Sequence, residues 1–121
     1  MMEDYYLIIA GGRDFNDYPL LKEKVDDLLS KKSGDLTIII ISGIEEGADM
    51  LGEKYAAEMG YEVQEFPAYW ILGNEAGAIR NQQMTDAADA CICFWDGHSR
   101  DTADVIGLAN KKGIPVRVIS Y

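Results

Sequence analysis

Apolar residues fall into short runs separated by segments of helical spacing, and the two patterns alternate along the chain. Residues 5–10, 36–41, 61–66, 90–95 and 115–120 read as five strands. Between the first two, Leu21, Val25, Leu28 and Leu29 form the stripe of a helix, with Asn16 or Asp17 as cap and Pro19 in its first turn. Ala48, Leu51, Tyr55 and Met59 mark one side of a second helix. A third runs from Glu75 or Ala76 to Ala88, and a fourth from Asp101 or Thr102 to Lys112. Gly34, Gly60 and Gly113 follow three of these patterns, where a left-handed cap belongs.

Strict alternation of strand and helix implies an α/β fold, a single Rossmann-like three-layer domain over residues 1–121 with helices on both faces of a parallel sheet. The first, second and fourth strands are apolar at nearly every position and suit the centre. The third carries charge, and the fifth has Pro115 and Arg117, so both suit edges. Right-handed crossovers then give the order 3-2-1-4-5. Its switch point, where such sheets bind ligands, lies beyond the carboxyl ends of the first and fourth strands.

Composition narrows the partners. The 121 residues carry a net charge of −10, which repels nucleic acid at long range and makes it an unlikely partner. No apolar stretch approaches the ~20 residues of a membrane helix, and the first residues lack a basic signal region, so a cytoplasmic location is expected. Cys91 and Cys93, two apart in a strand, read as small core hydrophobes. With His98 the only histidine, no metal site or cofactor is expected.

The segments after the strands hold the chemistry. They are Gly11-Gly12-Arg13-Asp14, Ser42-Gly43 through Gly47 and Asp49, a loop with Tyr69 and Trp70 leading to Arg80-Asn81, and Asp96-Gly97-His98-Ser99-Arg100-Asp101-Thr102. Seven of the twelve glycines lie in them or in their helical continuations, where a backbone can approach a ligand. Three of the four arginines do too, and no lysine does. Arginine's fixed fork suits phosphate or carboxylate, so an anion site is expected, with Arg80 and Arg13 on the phosphate and Trp70 over a base. Pairing of each arginine with a local carboxylate is the competing reading. Ser42 serves as a loop cap or a donor to a ligand. Asp49 in a first helical turn favours the dipole whatever the function. Glu45 and Glu46 would repel a phosphate, which makes the serine-glycine turn a wall contacting sugar.

GGRDF, SG-x-x-x-GAD, PA-x-W, G-x-x-AG-x-x-RN-x-x-M and FWDG-x-S-x-x-T, in this order, resemble the YspA-type branch of the SLOG superfamily. The resemblance spans nearly the whole chain. It implies a Rossmann-like fold binding nucleotides or nucleotide-derived signals, and a homodimer formed through helices beside the site. Relatives include the lonely-guy phosphoribohydrolases and the DNA-processing protein DprA. Arg80 matches the lonely-guy catalytic arginine. The glutamate of that family's next motif falls on Val105, with Asp104 adjacent, and a glycine has become Asp101. Loss of that carboxylate argues against the lonely-guy reaction.

The leading expectation is therefore binding of a nucleotide or nucleotide-derived small molecule at the carboxyl edge of the sheet. The alternative is a hydrolase or transferase acting at an N-glycosidic or phosphate bond, with Arg80 and Asp14, Asp49, Asp96 or Asp104 as candidate catalytic groups. A DprA-like DNA-binding role is a third, opposed by the charge.

Overall fold

The isoleucine-rich run lies inside β2 (Leu36–Ser42), which pairs in parallel with β1 (Glu3–Gly11) on one side and β3 (Glu62–Glu65) on the other. In this computed structural model, which describes residues 2–32 and 34–121, β4 (Ala90–Trp95) lies on the far side of β1 and β5 (Val116–Ser120) completes the sheet. The order is β3-β2-β1-β4-β5, with every pairing parallel, as the strand composition implied.

Period-two alternation divides the sheet residues between two cores. Leu7, Ile9, Ile40, Ile92 and Phe94 face α1 (Tyr18–Ser30) and α2 (Ala48–Met59), meeting Leu21, Val25 and Tyr55. Ile8, Ala10, Ile41, Cys91 and Cys93 face α3 (Ala76–Ala87) and α4 (Arg100–Lys112), meeting Met84, Val105 and Ala109. Cys91 and Cys93 are wholly buried, with unbridged sulfurs 3.4 Å apart, as the strand spacing required.

The helix ends differ from the expected pattern in several places. Asp17, not Asn16, caps α1 through Leu20 N–H, 3.1 Å away. That helix ends at Ser30 with Lys31 in right-handed geometry, so Gly34 is not its cap. Gly60 and Gly113 do take the left-handed conformation after α2 and α4. Met59 is exposed, because the buried side of α2 runs through Ala48, Gly52, Tyr55 and Ala56 instead. Among the described residues no helix is long and apolar enough to cross a membrane.

Candidate functional site

A hollow of about 360 Å³ opens at the carboxyl ends of β1 and β4, lined by Gly11, Gly12, Arg13, Asp14, Glu45, Asp96, Ser99 and Asp101. Its position follows from strand order, because the crossovers leave β1 and β4 in opposite directions and part the loops between them. Six of the sequence-derived site residues meet here: Gly11, Gly12, Arg13, Asp14, Asp96 and Ser99. Gly47 lines an adjoining hollow on the other side of Arg13.

The charge of the hollow is opposite to the expectation. Four carboxylates line it against one guanidinium. Asp96 accepts from Ser99 N–H at 2.9 Å and His98 N–H at 2.7 Å, and these bonds hold its carboxyl below the usual range. Asp14 accepts from the Tyr121 hydroxyl at 2.6 Å. Burial, then the bond to Asp14, pushes the Tyr121 phenol well above its ordinary pKa, so it remains a donor.

Arg80 is not an open phosphate ligand. It is 2% exposed and saturated from within: Nη1 donates to Gly43 O at 2.7 Å and Nε to Asn81 Oδ1 at 2.9 Å. Its Nη2 lies 3.6 Å from Glu45 and 3.5 Å from Asp101. Asn81 in turn donates to Asp101 at 2.9 Å and Asp104 at 3.0 Å. The reading in which arginines pair with local acids therefore holds for Arg80, and for Arg13, which reaches Glu45 at 3.3 Å. Arg13 is largely exposed and can turn outward. Arg100 projects into solvent from the first turn of α4.

The strand-turn-helix junction is also occupied by the protein itself. Ala48 N–H, at the start of α2, donates to Gly12 O at 3.2 Å, and Gly12 N–H donates to Phe94 O at 3.0 Å. Gly12 thus joins loops to one another instead of offering its N–H to a phosphate. Gly47 adopts φ 80°, and a side chain there would strike the Gly12 and Arg13 backbone. Ser42 Oγ accepts from Ile44 N–H at 3.1 Å and donates to Glu53 at 2.7 Å, so it caps the loop. Ile44, β-branched yet at φ 64°, is a strained position in the wall that presents Glu45. Asp49 is buried and accepts from Glu45 N–H at 3.3 Å, and burial pushes its pKa up to about 7.

The remaining expected residues lie outside the hollow. Thr102 is buried, with its N–H on the Ser99 cap. Gly97 turns the β4–α4 loop at φ 87°. Trp70 sits in the 3-10 turn Trp70–Leu72, exposed and beside Gly77 of α3. Asp104 faces α3 through Asn81, and Val105 belongs to the core. Two lining acids that the sequence reading did not count among the ligand-binding residues are Glu45 and Asp101. Their positions after β2 and before α4 were visible, but their pairing with Arg80 required the fold.

The chain resembles known proteins at three levels. It is 32% identical over 117 residues to the Gene 61 protein of Mycobacterium phage D29, covering 91% of this chain and 92% of that one. Its fold matches the DNA processing protein A (DprA) of Streptococcus pneumoniae with a TM-score of 0.69 at 13% identity, over 96% of this chain. The match takes in 50% of DprA, so this chain spans about half that protein's length. Residues 6–73, which hold β1 through the 3-10 turn and hence the first two walls of the hollow, match the family described as YspA, cpYpsA-related SLOG. The chain belongs to that SLOG family.

Proposed function

We propose that the hollow at the carboxyl end of β1 and β4 binds a nucleotide-derived small molecule by its sugar hydroxyls and base amino groups. The observation that carries this reading is the acid-rich lining, four carboxylates to one arginine. Ionised carboxylates only accept hydrogen bonds, so they suit hydroxyl and amino donors and oppose a buried phosphate. Any phosphate then points outward to Arg13. A thermal-shift panel tests this. Nucleosides should raise the melting temperature, a 5′-phosphate should add little, and Arg13→Gln should remove only that increment. Stabilisation growing steeply with phosphate number would refute it.

A hydrolase acting on an N-glycosidic bond is the second reading, favoured by the same carboxylates facing one space. Chromatography of incubated nucleosides and nucleotides would reveal free base, and release unaffected by Asp14→Asn, Glu45→Gln, Asp96→Asn and Asp101→Asn together would exclude it. DNA processing, which the name of DprA describes, is disfavoured by the net charge of −10 and the acidic lining.

We further infer a homodimer through the exposed ridge of Tyr69, Trp70, Ile71 and Leu72 with Ile79 of α3. From Phe66 to Thr85 the only charged residues are Glu75 and Arg80, and Arg80 is buried. The ridge gathers two exposed aromatics and three exposed aliphatics, the residue types that dominate interface cores. An uncharged face also avoids repulsion between two acidic copies. Light scattering should give a dimer that Ile71→Glu converts to monomer; a monomeric parent protein would rule this out.

A further inference from the structure

At the opposite edge of the sheet, where β1, β4 and β5 begin, a second cavity of about 200 Å³ opens beside the end of α1. The length of β4 places it ~16 Å from the hollow described above. Tyr5, Leu28, Pro115 and Val116 form an apolar floor, and Lys31, Lys32 and Arg117 supply charge. Three of eleven basic residues thus meet at one cavity in a chain of net charge −10. One oxygen of Asp27 answers two of them, lying 3.1 Å from Arg117 and 3.6 Å from Lys31. Lys32 stands 5.0 Å above the Tyr5 ring instead. Among the described ion pairs of these three cations, Asp27 is the one carboxylate.

We propose that this cavity is a second ligand site, for a small free phosphate monoester whose flat apolar body rests on the floor beside Tyr5. The surplus of two positive charges matches a phosphate dianion, whereas a carboxylate would leave one cation unanswered. Arg117 meets Asp27 through one Nη1–Oδ2 contact, and a phosphate oxygen can take that place on its guanidinium. The volume equals about seven waters at ~30 Å³ each, enough for a single ring and its phosphate.

Phenyl phosphate titrated into isotope-labelled protein tests the assignment through amide shifts. The amides of Tyr5, Cys91, Val116 and Arg117 should move saturably while those of Gly11, Gly12 and Arg13 stay in place. Inorganic phosphate and phenol should each bind at least about five-fold more weakly. Arg117→Gln should weaken phenyl phosphate by about ten-fold. Asp27→Asn should tighten it by about three-fold, and Glu23→Gln, an equal charge change on the same helix, should not. A capped phosphotyrosine should bind more weakly, since its backbone must clear Lys31 and Pro115. Absence of a saturable shift at the cavity, an equal response to phosphate alone, or equal effects of Asp27→Asn and Glu23→Gln would overturn the proposal. Equal or tighter binding of capped phosphotyrosine would do so too, reassigning the cavity to a phosphorylated chain.

Discussion

Asp49 is a carboxyl group that the fold holds against its own charge. Below about pH 4 it is neutral both folded and unfolded. Between there and its folded pKa of about 7, the unfolded chain releases the proton and the folded chain retains it. Stability therefore falls with rising pH by up to about 1.4 kcal/mol per unit, or about 4 kcal/mol in all, and the loss is complete above pH 7. Asparagine keeps the acceptor for Glu45 N–H and removes the titration. Asp49→Asn should gain on the parent protein by about 4 kcal/mol between pH 4 and pH 8, measured by urea unfolding. A constant difference across that range would show that the fold does not raise the carboxyl's pKa. Gly43 bears on Asp49 and Arg80 together, since a methyl there would meet Asp49 Oδ2 at 2.8 Å and Arg80 Nη1 at 2.9 Å. Gly43→Ala should cost about 2 kcal/mol, read as a lower midpoint in denaturant.

Among the elements, α3 depends most on its neighbour. No glycine ends it, and Lys112 of α4 supplies the missing cap: its ammonium donates to Thr85 O at 2.7 Å, Asp86 O at 2.8 Å and Ala88 O at 3.0 Å. Lys112→Met keeps the stem and removes the charge, so about 1–2 kcal/mol of stability should be lost. Hydrogen exchange should show the last turn of α3 opening first; unchanged protection there would contradict the cap. Such a contact is long-range, and nothing in the lysine's own sequence neighbourhood announces it. The strands were legible because β-branched runs and charged edges mean the same thing in every parallel sheet. Phe94, inside an apolar strand run, was equally readable as core. The partners of Arg80 were not, because Gly43 and Glu45 come from the β2–α2 loop and Asp101 from α4, which only the tertiary fold brings to α3. Local pattern places a residue in a loop; it does not say which neighbour neutralises it.

The whole molecule is polarised in charge though acidic in sum. Its ring of loops at one sheet edge is acid-lined, and the other edge gathers cations. Ligand arrival should respond to salt in both places, since screening relieves the repulsion of a −10 chain for anions while weakening each local contact. Arg80 stands apart from this. Sealed beneath Gly43, it sees almost no bulk ions, and buried pairs are little screened. Its Nε proton, held by Asn81, should exchange with solvent orders of magnitude more slowly than those of Arg13 and Arg100. The guanidinium that looked like the grip for a ligand thus becomes a clock: the lifetime of that proton times how often the wall of the hollow opens.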